Sequence, residues 1–124
     1  MKVLICDDDS MTLRILEFQF MKDGFEILKA VTGKEARNIL LANRDIDLLV
    51  TDVHMPTVNG MELIAYVRRT LNSNIPIMVI SRANVEENIQ LAFELGANEY
   101  LTKPFDMEDL SNRVKNLLTN DKNN

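Results

Sequence analysis

Four places in the chain set a chemically able side chain directly behind an apolar run. Asp7, Asp8 and Asp9 follow VLIC, Asp52 follows LLVT, Ser81 ends IPIMVIS, and Lys103, with Pro104 and Phe105 after it, follows EYLT. A carboxylate at the end of a buried run is unfavourable unless its charge is compensated. Several carboxylates close together repel, and they ionise jointly only with a cation among them. Magnesium suits such a set: it takes oxygen ligands at roughly 2.1 Å and keeps several waters, so two carboxylates and a backbone carbonyl suffice. The ammonium of Lys103 and the hydroxyl of Ser81 would then hold an anionic group placed on a carboxylate. The set fits a phosphoryl acceptor, with Asp52 as nucleophile and magnesium and Lys103 stabilising charge. The plainer reading of Asp7, Asp8 and Asp9 is a solvated loop ending in a helix cap.

These groups act together only if the fold brings them together. The short apolar runs KVLIC, EILKAV, DLLVT, IPIMVIS and EYLT alternate with longer helical patterns. Three of them are apolar at nearly every position, which predicts strands covered on both faces, as in a parallel sheet. Thr32 with Glu35, Asn59 with Glu62, and Asn84 with Glu87 each predict a helix cap followed three residues later by an acid; Asp106 with Asp109 is a weaker version. Gly24 and Gly96 stand where two helices should stop. Val85, Ile89, Ala92 and Phe93 form one helical apolar stripe, and Met107, Leu110, Val114, Leu117 and Leu118 another. The pattern is a strand and a helix repeated five times, hence an α/β fold with a parallel sheet and helices on both faces. In open sheets of this kind ligands bind beyond the carboxyl ends of the strands. Asp7, Asp52, Ser81 and Lys103 converge there if strands 1, 3, 4 and 5 are neighbours.

Composition narrows the function classes. A chain of 124 residues, 46% hydrophobic, is enough for one core and too short for two. A net charge of −5 argues against a general nucleic-acid or membrane surface. The single cysteine, Cys6, excludes an internal disulfide framework and reads as a small buried hydrophobe. The single histidine, His54, argues against a histidine-rich metal centre. The seven methionines read as core filler. The N-terminal apolar run is too short for a signal peptide and no run reaches membrane-spanning length, so the expected location is cytoplasmic.

CDDD, TDVHMPTVNG, VIS and YLTKPF, in this order and spacing, resemble the response-regulator receiver domains, of the single-domain chemotaxis type, over residues 2–118. The resemblance implies a flavodoxin-like, doubly wound (βα)5 fold, a five-stranded parallel sheet of order 2-1-3-4-5, with a receiver over residues 1–119 and a polar tail over 120–124. It implies a phosphoprotein of a two-component pathway, with Asp52 as the residue phosphorylated by a sensor histidine kinase or phosphotransfer protein. Asp8, Asp52 and the backbone carbonyl of His54 would bind magnesium directly and Asp7 through water. Ser81 would bond the phosphoryl group and Lys103 would pair with it. Tyr100 matches the aromatic that turns inward when Ser81 moves, and the Lys103–Pro104 bond is often cis in relatives. The implied role is signalling, not enzymatic beyond the domain's own phosphorylation and dephosphorylation. Output would pass to a target protein through the fourth helix, fifth strand and fifth helix, without direct nucleic-acid or membrane contact. Relatives that dimerise through this face use paired charges; Glu99 and Arg113 supply one such pair, while Asn98 and Asn116 are neutral. One exposed pair is worth about 0–1 kcal/mol, so a monomer is expected.

The chain departs from the family at Arg82, where relatives often carry a small residue. Arg82 would either narrow access to Asp52 or point away as an ordinary exposed arginine. His54 reads as a solvated loop residue whose backbone matters. An aspartyl-nucleophile phosphatase of the haloacid-dehalogenase class would want an acid where His54 stands, and room for a cap domain. A flavodoxin-like cofactor binder would want a glycine- and hydroxyl-rich phosphate loop, where DDDS would repel phosphate. The nearest alternative is the receiver portion of a longer regulator with a DNA-binding or enzymatic output domain.

Overall fold

The computed structural model describes residues 1–82 and 85–123, with side chains through Thr119. The elements are β1 (Lys2–Cys6), α1 (Ser10–Lys22), β2 (Glu26–Ala30), α2 (Gly33–Ala42), β3 (Leu48–Thr51), α3 (Gly60–Ala65), β4 (Ile77–Ser81), α4 (Glu86–Leu95), β5 (Glu99–Thr102) and α5 (Met107–Asn123). All strand pairings are parallel, in the order β2-β1-β3-β4-β5. The continuous apolar runs VLIC, LLVT and IMVIS occupy the three inner positions and are buried throughout. The edge strands β2 and β5 expose part of their length, and their sequences carry Glu26, Lys29 and Glu99 there.

Each sheet face has its own core. Leu13, Leu16 and Phe20 of α1 and Leu110 and Val114 of α5 pack on Val3, Ile5, Leu48, Val50, Met78 and Ile80. Ala36 and Leu40 of α2, Leu63 and Ile64 of α3, and Ala92 of α4 pack on Leu4, Cys6, Leu49, Ile77 and Val79 on the other face. Burying a Leu, Ile or Phe side chain is worth roughly 1.5–3 kcal/mol, so the inner strands, covered on both faces, fix the frame that carries the strand ends. Cys6 is buried, as expected, and apolar burial pushes its thiol pKa up.

The caps follow the sequence closely. Thr32 Oγ1 accepts from Glu35 N at 3.1 Å, and Asn59 and Glu62 form a reciprocal capping box on α3. Asp106 Oδ1 accepts from Glu108 N at 3.0 Å, while Asp109 takes no part in the cap and instead meets Arg113 Nε at 3.0 Å. Gly24 and Gly96 adopt φ of 90° and 123°, the region that lets a chain leave a helix at little steric cost. The expected cap residue Asn84 lies outside the described residues.

Two expectations need correction. The α4 stripe is only half a core stripe: Ala92 is buried and Ile89 packs partly buried against the core, but Val85 and Phe93 are 54% and 45% exposed. Helical periodicity tells which residues share a face, not whether another layer covers it, and α4 packs beside the edge strand. Nor are the methionines uniformly filler: Met55 and Met78 are buried, whereas Met1, Met11 and Met21 are largely exposed. The helical backbone of α5 runs to Asn123.

Candidate functional site

Register explains why the reactive side chains meet. Cys6 pairs with Thr51, so the next residues, Asp7 and Asp52, leave neighbouring strands side by side; Asp52 N donates to the Cys6 carbonyl at 3.0 Å. Ser81 pairs with Thr102, and Lys103 N donates to the Ser81 carbonyl at 2.8 Å. The result is a cleft of about 340 Å³ lined by Asp7, Asp8, Asp9, Asp52, His54, Arg82 and Lys103. Carboxylate oxygens of Asp7, Asp8 and Asp52 lie within 4.8 Å of one another.

Each carboxylate is held differently. Asp7 and Asp52 are buried and Asp8 is exposed. Asp7 Oδ1 accepts from Asp9 N at 2.9 Å, and its Oδ2 accepts from Lys103 Nζ at 2.7 Å. Asp52 Oδ1 accepts from the Val53 and His54 backbone N–H groups at 2.6 and 3.4 Å, and its Oδ2 from Lys103 Nζ at 3.2 Å. No donor among the described residues holds the Asp8 carboxylate. Asp9 caps α1, accepting from Met11 N at 3.2 Å and Thr12 Oγ1 at 2.7 Å. The run of three aspartates therefore divides: Asp9 is the cap, while Asp7 and Asp8 face the cleft.

Charge follows from these contacts. Burial raises the Asp7 pKa, over the opposing hydrogen bond from Lys103, and the nearby charge of Asp52 adds to the rise. Burial alone would lower Lys103, but its bond to Asp7 and the charges of Asp52 and Asp7 outweigh that and raise its pKa. Four carboxylates and two cationic side chains line the cleft, a formal surplus of two negative charges among the aspartates, arginine and lysine. That is the charge of one divalent cation, and the donors are all hard oxygens, so the residues fit magnesium.

A family model described as the response regulator receiver domain matches residues 3–115. The chain belongs to that family. The receiver is 38% identical over 118 residues to the transcriptional regulatory protein PrrA of Mycobacterium bovis, covering 94% of this chain and 49% of PrrA. It spans about half the length of the curated relatives it matches. Its structure matches a receiver domain protein of Clostridium thermocellum with a TM-score of 0.89 and 31% identity, over 98% of this chain and 96% of that one. It also matches a chain of the CheX-CheY-BeF3-Mg+2 complex of Borrelia burgdorferi with a TM-score of 0.87 and 28% identity, over 92% of this chain and 86% of that one. It is thus a receiver of the two-component response regulators, with the flavodoxin-like fold of order 2-1-3-4-5.

The receiver brings most of the expected site residues together. His54 is exposed and lines the cleft beside its backbone contact to Asp52. Arg82 is exposed but does not point away: it lines both the acidic cleft and an adjoining groove of about 700 Å³. Ser81 is fully buried, and its side chain is hydrogen-bonded to the hydroxyl of Tyr100. Tyr100 is itself buried, which raises its pKa; Ser81 opposes the rise and the charge of Asp52 adds to it. The Lys103–Pro104 peptide is cis.

Gly60 is the positioning residue that the sequence reading missed. A Cβ there would stand 2.1 Å from the Asp52 carbonyl oxygen, and Gly60 N donates to Val53 O at 2.8 Å. Its absent side chain lets the start of α3 close onto the end of β3. The signal in the sequence was a glycine inside the first turn of a helix, where propensity argues against it.

Proposed function

We propose that this receiver accepts a phosphoryl group on Asp52, with magnesium, from a sensor histidine kinase or phosphotransfer protein. The observation that carries the reading is the gathering of the Asp7, Asp8 and Asp52 carboxylates at the strand ends, with Lys103 paired to Asp7 and Asp52. Asp8, Asp52 and the His54 carbonyl would hold the metal directly. Asp7, already engaged by Lys103 and the Asp9 amide, would act through water. Magnesium supplies positive charge to the transferring phosphoryl oxygens.

The chain's own residues do the rest. A carboxylate oxygen of Asp52 forms the new bond to phosphorus, and the donor leaves with the electrons of the bond that breaks. The Val53 and His54 amides hold the carboxylate in place, and Lys103 shifts from Asp52 to the arriving phosphoryl oxygens. The phosphoryl group brings about −1.5 to −2 charge, and the Ser81 hydroxyl moves to it. Tyr100 is already inward and bonded to Ser81, so the switch is an exchange of hydrogen-bond partner that leaves Tyr100 to repack. Two discrete packings then differ at α4, β5 and α5, the face offered to a target protein.

The charges on that face are partly spent within the chain. Arg113 pairs with both Glu99 and Asp109 of the same chain, which supports a monomer over a charge-paired dimer. Among the described residues no helix is long and apolar enough to cross a membrane; a cytoplasmic location without direct nucleic-acid contact belongs to the same reading. PrrA, twice as long and named a transcriptional regulatory protein, favours a second reading: this receiver as the portion of a longer regulator that controls an output domain.

The test is intact-mass spectrometry after incubation with acetyl phosphate. One phosphoryl group should be added in the presence of magnesium, and EDTA should prevent it. Equal labelling with and without EDTA would refute the metal-assisted mechanism.

A further inference from the structure

Arg68 does not line the acidic cleft, yet all five of its N–H groups meet acceptors on other segments. Nε and Nη2 donate to the Gly96 carbonyl at 3.1 and 2.8 Å, and Nη2 also to Asn98 Oδ1 at 2.9 Å. Nη1 donates to the carbonyls of Ser73 and Ile75 at 2.9 and 2.7 Å. Asn98 is fixed in turn, accepting from Ile77 N and donating its own N–H to Ile77 O, both at 2.8 Å. One side chain therefore ties the C-terminal end of α4 to the connection between α3 and β4.

Two features of the chain make room for this fork. Tyr66–Thr70 continues α3 as a π-helical turn, with Leu71 N donating to Tyr66 O, a widened geometry common at functional sites. At Gly96 a Cβ would come within 2.7 Å of Arg68 Cγ and 2.8 Å of its Nε. A side chain at position 96 and the Arg68 fork exclude each other.

Among the described residues, no side-chain hydrogen bond holds the other end of α4 to another segment, and partly buried Ile89 packs there on the core. Val85 caps it without a side-chain hydrogen bond, and Val85 and Leu91 are 54% and 42% exposed. Ala92, the buried residue of the helix, lies in its C-terminal half. We infer that Arg68 is a positioning residue that pins α4 at Gly96, so that α4 moves as a lever with its N-terminal half free to swing. The lever rests on the switch reading above. Ser81 ends β4 a few residues before α4 begins, so a change at Ser81 reaches the free end first.

Residue-resolved hydrogen exchange on the full chain tests it. In the metal-free wild type, amides of residues 94–97 should exchange about tenfold or more slower than those of 89–91. A lysine offers three donors on one nitrogen in place of a planar fork of five, so in Arg68→Lys, and in Arg68→Ala if it folds, the ratio should fall to within about threefold. Arg69→Ala, at an exposed neighbour, should leave the ratio intact. A ratio that survives in the Arg68 variants, or is missing in the wild type, would overturn the anchor. With beryllofluoride and magnesium, changes in the wild type should stay within residues 85–91 and spread to 96–98 in Arg68→Lys. Changes along the whole wild-type helix would overturn the lever. No change in α4 at all, with the metal-free ratio intact, would overturn the switch reading and leave the anchor standing.

Discussion

The acidic corner and α4 are built on opposite principles. At the corner, Asp52 is fixed by strand register, by two backbone amides, by Lys103, and by a helix start pressed against its carbonyl. In α4 one residue is buried, the N-terminal end lacks a side-chain cap, and Leu91 and Phe93 face solvent. Transfer chemistry needs reacting groups held in place before the donor arrives. A switch needs two packings of similar free energy, which a thoroughly buried helix would not permit. On the proposed reading, rigidity lies where bonds would change and looseness where the change would be read.

Gly60→Ala should break the rigid half most severely. The added methyl meets the Asp52 backbone, not a flexible side chain, so a loss of about 3 kcal/mol or more in urea denaturation is expected. A loss below about 0.5 kcal/mol, the range of ordinary surface changes, would show that α3 shifts easily and that the corner is softer than its contacts indicate.

Asp8→Ala should separate metal binding from stability. Asp8 is exposed and no described donor holds it, so the metal-free fold should change by less than about 0.5 kcal/mol. Magnesium affinity, measured by titration calorimetry, should fall more than about tenfold. Unchanged affinity would remove Asp8 from the site.

Asp7 gives the pH dependence its sign. Its pKa is raised by burial in the folded chain, so the folded state takes up a proton before the unfolded state does. Stability then rises as pH falls through that range. Asp7→Asn should raise the melting temperature of the metal-free protein near neutral pH, and the gain should shrink toward about pH 5, near the carboxylate range. Magnesium affinity should move the other way and weaken on acidification, because protons compete with the cation. A melting temperature lowered by Asp7→Asn would show that the pair with Lys103 outweighs burial.

The smallest effect is expected at Phe93. Phe93→Ala should leave stability within about 0.5 kcal/mol of wild type, whereas a covered aromatic would lose about 3–5 kcal/mol. A loss in the larger range would mean that α4 is packed as a core helix after all.

The same contrast governs what could be read from the sequence. Continuous apolar runs before Asp7 and Asp52 and up to Ser81 marked the inner strand tips, because a strand buried on both faces leaves no other pattern; Lys103 followed the edge run EYLT. Thr32 and Asn59 announced their helices because capping is local chemistry. The burial of α4 was not legible, because its stripe has helical spacing whether or not a layer covers it. Gly60 and Arg68 escaped for a related reason. One acts through an absent side chain and the other through carbonyls distant in sequence, and neither leaves a periodic trace.

The most direct test of the central claim is to find where the phosphoryl group, or its beryllofluoride mimic, resides. Wild-type protein treated with acetyl phosphate and magnesium should carry one adduct, mapped by peptide mass spectrometry to Asp52. Asp52→Asn should carry none. Full labelling of Asp52→Asn at Asp7, Asp8 or any other residue would contradict the account.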